Sequence, residues 1–138
     1  MITQQEIEGW EYYETVDPDP IEIITPMDMV KEFAVTTGQS PDATLYADLI
    51  HEEYNEWLEP WKYGLGDSVD NLKELSDLVY VIYGYAFARG WDLDEAIRRV
   101  HENNVGRCVQ ADGTVKRRED GKIIKNEAYP KVYLGDLL

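Results

Sequence analysis

Leu78 to Ala88 is a run of eleven residues with no charged or amide side chain. As a helix it is too short to cross a bilayer, which takes about 20 apolar residues, so no membrane partner is expected. Upstream, Val69, Leu72 and Leu75 recur at helical spacing and lead into Leu78, Val79 and Ile82. A helix that becomes apolar nearly all round must be enclosed, either inside a bundle or in a subunit interface. The rest of the chain has to provide that enclosure.

Start and stop signals supply the other helices. Thr25-Pro26 combines an N-cap with proline at the first helical position. Met27, Met29, Val30, Phe33 and Ala34 follow as an apolar stripe up to Gly38. Ser40-Pro41-Asp42 repeats the start signal, and Leu45, Leu49, Ile50, Tyr54, Trp57 and Leu58 give a face that runs to Pro60. Residues 61–67 read as a loop. Asp67 or Ser68 caps the apolar helix, and Gly90 ends it. Asp92-x-x-Glu95 opens a fourth helix with Leu93, Ala96, Ile97 and Val100 facing inward. Beyond it, Asp112-Gly113 and Asp120-Gly121 flank short β-prone pieces, the mark of a hairpin or extended arm. The expected fold is all-α: a four-helix core with a short extended or hairpin C-terminal arm. At 138 residues one domain is expected. Residues 1–24 form an acidic and aromatic arm, with an extended piece at 21–24. Residues 25–107 form the helical core and residues 108–138 a basic arm.

Two carboxylate pairs lie on consecutive helices: Glu53-x-x-Glu56 on the second and Glu74-x-x-Asp77 on the third. A spacing of three puts both members of a pair on one helix face, ~5–6 Å apart at Cβ. The short connection makes the two helices antiparallel neighbours, so the pairs can face each other. Four carboxylates at close range repel and raise one another's pKa, and a divalent cation removes that conflict. Hard oxygen donors suit Mg²⁺, especially where a substrate phosphate completes the coordination. Solvated acidic faces have the same spacing, so the pattern alone leaves both explanations open. Glu52 and Glu59 read as surface acids, and Asp70 serves the first turn of its helix. A di-iron bundle needs Glu-x-x-His motifs; neither His51 nor His101 lies three residues after a Glu.

The net charge of −15 is divided unevenly. Residues 1–95 hold 22 acids and four bases, and residues 96–138 hold six acids and nine bases. An acidic body repels nucleic acid, so no nucleic-acid partner is expected. The basic segment from Arg107 to Lys131 suits the bare oxygens of a phosphate chain. No glycine-rich phosphate loop is present. His101 and Asn104 share a face of the fourth helix just before Arg107, and Trp57, Trp61 and Tyr63 lie near enough to the first pair to stack on a base. The lone Cys108 and the absence of a signal sequence at the start of the chain lead to an expectation of a reducing, cytoplasmic setting.

Three blocks of the chain resemble the MazG-like branch of the all-α nucleoside triphosphate pyrophosphohydrolases. They are Leu49-Ile50-His51-Glu52-Glu53-Tyr54-Asn55-Glu56-Trp57, Glu74-Leu75-Ser76-Asp77-Leu78-Val79-Tyr80, and His101-Glu102-Asn103-Asn104-Val105-Gly106-Arg107. Seventeen residues separate the first two pairs. The tail Gly121-Lys122-Ile123-Ile124-Lys125 is similar to that of small members, including phage-borne ones. The resemblance implies hydrolysis of a (deoxy)nucleoside triphosphate between the α and β phosphates, releasing the monophosphate and pyrophosphate. It implies Mg²⁺, with Mn²⁺ as a substitute, held by Glu53, Glu56, Glu74 and Asp77, which also carry the chemistry. Arg107 and Lys125 would contact phosphates, and Asn104 the nucleoside, with His101 and Trp57 as further substrate contacts. A homo-oligomer is implied, a tetramer ahead of a dimer, and a host cytoplasm if the source is a phage. Gly106 stands where relatives commonly have serine, Arg107 where they have lysine, and Asn126 where they have proline. A catalytically silent acidic interaction protein and a nucleotide-binding regulatory module remain as alternatives.

Overall fold

A computed structural model describes residues 22–138. Residues 1–21 of the N-terminal arm lie outside the described residues, and residues 22–24, expected as part of an extended piece, form no regular element. Helix α1 (Pro26–Thr37) starts from a capping box in which Thr25 and Asp28 exchange bonds: Asp28 N–H donates to Thr25 Oγ1 and Thr25 N–H to Asp28 Oδ2. Helix α2 (Ala43–Lys62) is capped by Asp42, which accepts from the N–H groups of Thr44 and Leu45. It does not stop at Pro60. A proline so near the end withholds only one N–H, the one owed to the Glu56 carbonyl, and the Pro60 carbonyl then accepts from Tyr63 and Leu65. Ser68 caps α3 (Val69–Arg89), and Asp92 caps α4 (Leu93–Cys108). Strands β1 (Lys116–Arg117) and β2 (Ile123–Ile124) pair antiparallel, Lys116 opposite Ile124. Both expected Asp-Gly turns form, with Gly113 and Gly121 at φ 82° and 85°. The fold is all-α, as expected. No helix among the described residues is long and apolar enough to cross a membrane.

Helices α2 and α3 are the closest neighbours and run antiparallel. Two contacts set their register. The buried Asn71 amide donates to the Trp57 carbonyl at 2.7 Å. At the other end the buried Tyr46 ring lies on Gly84, where a Cβ would come within 2.2 Å of it. Helix α1 packs on α3 through Met27, Val30, Tyr83 and Ala86, with Phe87 and Leu93 at the margin.

This register changes which face of α3 is open. If this face of α3 were uncovered in a monomer, Tyr80, Tyr83, Tyr85 and Phe87 would form an exposed stripe. Instead Tyr83 is buried, Tyr85 and Phe87 are half-buried, and of these four only Tyr80 is exposed. The open stripe is Leu72, Leu75, Val79 and Ile82, spaced 3-4-3 like a helix-pairing seam. Ile97 and Val100 of α4, expected inside, are also exposed, because α4 packs lightly on α1 rather than closing over α2 and α3.

After the hairpin the chain returns along α4 as a strap. Asn126 N–H donates to the Arg107 carbonyl, Asn103 to the Pro130 carbonyl, and Arg99 forks onto Asp136 at 2.6 and 2.9 Å. The Tyr129 ring lies on Gly106, where any Cβ would approach it to 2.3 Å. That contact gives a physical reason for glycine at 106.

Replacing Gly84 with alanine gains helix propensity of up to about 1 kcal/mol but overpacks the Tyr46 contact at a cost of about 1–3 kcal/mol. The expected result of Gly84→Ala is a net loss of stability in urea unfolding, with an unchanged m-value.

Candidate metal centre

The antiparallel register brings three of the four carboxylates together. Glu53, Glu56 and Glu74 each offer an oxygen, all within 4.8 Å of one another. Glu53 and Glu74 are half-buried and Glu56 is exposed, so the group opens to solvent on the Glu56 side. The Oε2 atoms of Glu53 and Glu74 are buried and have no hydrogen-bond partner among the described residues. An orphaned carboxylate oxygen costs more than a neutral group would, and here two of them share one cluster. Burial pushes the Glu53 carboxyl above its usual range, and the charges of Glu56, Asp77 and Glu74 push it further.

Asp77 lies outside the three-residue group. It pairs with Lys73 at 2.7 Å, and the same ammonium is 3.6 Å from Glu74. Asp77 holds the Lys73 ammonium above its ordinary pKa, with Glu74 adding to the effect. Lys73 was not singled out in the sequence, although its i, i+4 spacing to Asp77 is a visible pairing signal. Its cation offsets part of the acidic charge from the exposed side. The donor set is all carboxylate oxygen, two of the atoms are unpartnered, and the cluster is net negative. It fits a hard divalent cation such as Mg²⁺ or Mn²⁺.

The remaining expected substrate residues are placed differently. Trp57 is half-buried, packs against Tyr54 with ring centroids 5.9 Å apart, and gives its carbonyl to Asn71. His101 and Asn104 are exposed on α4 and have no side-chain hydrogen bond among the described residues. Arg107 is half-buried, and the strap's Asn126 holds its backbone carbonyl, which sets Lys125 next to it along the strap. Arg118 is taken up by Asp120 and Arg117 by the Gly121 carbonyl. Lys116, Lys122 and Lys125 form no ion pair among the described residues. Arg98 and then Arg99 hold Glu95 down at about 2, so those two bases serve the α4 surface and the strap.

The family model for phosphoribosyl-ATP pyrophosphohydrolase matches residues 28–104, more than half of the chain and a span that includes both carboxylate pairs. The chain belongs to this family. Phosphoribosyl-ATP pyrophosphohydrolases share the all-α nucleoside triphosphate pyrophosphohydrolase grouping with the MazG-like proteins, and they are hydrolases of phosphoric anhydride bonds. No curated protein matches the chain. The family match ends at Asn104, so the basic arm and the strap lie beyond it.

The raised Glu53 pKa has a consequence for stability. The folded chain holds this proton more tightly than the unfolded chain does. The contribution to metal-free stability is therefore present at acid pH and is lost as pH rises from 4.5, the ordinary value, through the raised one. Glu53→Gln removes the charge. In EDTA at pH 8 it is expected to melt at a higher temperature than the parent, with a flatter dependence on pH above 4.5. Mg²⁺ at about 100 times its dissociation constant should stabilise the parent by about 2.7 kcal/mol and the variant by much less. A lower melting point for Glu53→Gln in EDTA would contradict this electrostatic description.

Proposed function

We propose that this chain is a Mg²⁺-dependent nucleoside triphosphate pyrophosphohydrolase. It cleaves between the α and β phosphates and releases the nucleoside monophosphate and pyrophosphate. The observation that carries this proposal is the carboxylate cluster on α2 and α3 with its two buried, unpartnered oxygens. Membership in a pyrophosphohydrolase family supports the reaction class. Glu53, Glu56 and Glu74 would hold the cation, and Asp77 would join them by releasing Lys73. When bound, the cation offsets triphosphate charge and lowers the pKa of a bound water.

The chain's own groups supply the rest. A water oxygen forms a bond to the α phosphorus, the bond from that phosphorus to the bridging oxygen breaks, and pyrophosphate leaves. A carboxylate of the cluster would orient the water and take its proton. Arg107 and Lys125 would clamp phosphate oxygens by charge-assisted hydrogen bonds, Asn104 would meet the nucleoside, and His101 and Trp57 would be further substrate contacts. The name of the matched family supports a second substrate, phosphoribosyl-ATP, which presents the same anhydride bond. The site of action would be the cytoplasm.

Pyrophosphate release from a panel of ribo- and deoxynucleoside triphosphates and phosphoribosyl-ATP, with Mg²⁺, tests this function. Glu53→Gln and Glu74→Gln are expected to lower kcat by about 10²–10⁴-fold. If the parent cleaves no member of the panel faster than these variants, the enzyme proposal is wrong.

A homo-oligomer, a tetramer ahead of a dimer, is proposed on the open stripe of Leu72, Leu75, Val79 and Ile82. Sedimentation should give more than the monomer mass of 16.0 kDa, and Leu75→Glu should shift the distribution toward monomer. A monomeric parent would exclude the assembly.

A further inference from the structure

A second feature adjoins the carboxylates. Between α1, α2 and α3 lies a cleft of about 310 Å³, within the range of small-ligand pockets. Glu53 and Asp77 form its wall on the side of the cluster, and Phe33, Gln39, Tyr46, Leu49, Tyr80 and Val81 form the rest. The helices explain the arrangement. Leu49 and Glu53 are four apart on one face of α2, and Asp77 and Tyr80 are three apart on one face of α3. Phe33 reaches in from the end of α1 and meets Tyr80 edge to face, with centroids 6.0 Å apart and planes at 89°. Both rings remain exposed, at 42% and 36%, so an apolar aromatic wall stands open beside a charged cluster.

Gln39 is the neutral amide on that wall. It follows Gly38, which ends α1, and its backbone N–H donates to Thr37 Oγ1 at 3.4 Å. Its side chain is half-buried and has no hydrogen bond among the described residues. An amide carries a donor and an acceptor side by side, and each nucleobase presents such a pair on an edge. Flat aromatic surface, one unspent amide and a carboxylate cluster at one end match a ligand with a planar heterocycle at one end and phosphates at the other.

We propose that this cleft takes the base of a nucleotide whose phosphates lie at the carboxylates, and that Gln39 is the specificity-determining residue that selects among bases. The assignment rests on the pyrophosphohydrolase function proposed above. It moves the base away from Trp57, Trp61 and Tyr63, so that any substrate contact of Trp57 would be to a part other than the base. Trp57 is committed to Tyr54, and Trp61 lies over Gly66. The larger cleft of about 660 Å³, lined by Thr25, Lys31, Gly90, Trp91 and Asp94, serves a different end of the bundle. Gly90 is 13 residues beyond Asp77 on the α3 axis, about 20 Å at 1.5 Å per residue.

The test is calorimetric binding, with Mg²⁺ present, of the α,β-imido analogues of the four common deoxynucleoside triphosphates and of inorganic tripolyphosphate, which has no base. The parent, Gln39→Leu and Phe33→Leu are compared. The parent should rank the four analogues and bind the best of them tighter than tripolyphosphate. Gln39→Leu should reduce the ratio between best and worst base by about tenfold, the scale of one hydrogen bond, with tripolyphosphate affinity unchanged. Phe33→Leu should weaken all four analogues and leave tripolyphosphate unchanged. If Gln39→Leu shifts the four equally, or leaves all of them alone, Gln39 does not select the base. If the parent binds tripolyphosphate as tightly as every analogue, the base pocket is refuted while the phosphate and metal site stands. If the parent binds neither, the pyrophosphohydrolase proposal is overturned, and the base pocket with it.

Discussion

Mutual repulsion of Glu53, Glu56 and Glu74 is the constraint on which the rest of the molecule turns. Three carboxylate oxygens within 4.8 Å, two of the groups half-buried, are unfavourable in any fold that could avoid them. The chain does not avoid them. Asn71 fastens α3 to the Trp57 carbonyl one turn before Glu74, and Tyr46 seats on Gly84 at the far end. Together these contacts fix the register in which the acids face each other. Lys73 offsets part of the charge from outside, through Asp77. The buried oxygens of Glu53 and Glu74 are left for something else to satisfy.

Around this cluster the molecule separates its charges. The two acidic helices carry the cluster, and the basic side chains follow in α4, the hairpin and the strap. Four attachments bind the strap to α4: the Asn126 bond to the Arg107 carbonyl, the Asn103 bond to Pro130, the Arg99 fork on Asp136, and Tyr129 seated on Gly106. These attachments fix where Arg107 and Lys125 sit relative to each other. The open faces of α3 and α4 leave room for a second copy, and an aromatic cleft adjoins the acids on the α1 side. The buried core is modest, Met27, Val30, Tyr83 and Ala86.

Much of this was legible from local chemistry. Thr25-Pro26, Ser68, Asp92, Gly38 and Gly90 are strong punctuation, and each bounds a helix where its capping chemistry requires. The Asp120-Gly121 turn closes the hairpin, and Asp112-Gly113 makes a separate turn before it. The i, i+3 spacing and the short connection between α2 and α3 pointed to four facing carboxylates, with a solvated acidic face as the other explanation; Glu53, Glu56 and Glu74 come together and Asp77 stays outside the group. What the residues could not reveal was long-range or orientational. A helix apolar nearly all round has no stripe to show which side is buried, so the open face of α3 depended on Gly84 and Asn71. Pro60 looked like a helix end, yet a proline one turn from the terminus costs a single bond. The seat of Tyr129 on Gly106 joins positions 23 residues apart, and no periodic signal marks it. Asp77 shares the spacing of the other acids, but Lys73 on its own helix competes for it. Gln39 sits in a loop, where no pattern singles out an amide.

The central claim is that the three carboxylates form one cation site, and crystals of the protein grown with Mn²⁺ test it most directly. Anomalous scattering from Mn²⁺ should give a peak between Glu53, Glu56 and Glu74, within coordinating distance of the Oε2 atoms of Glu53 and Glu74. A saturated Mn²⁺ condition with no peak there, or with a peak bound only by other residues, would contradict the claim.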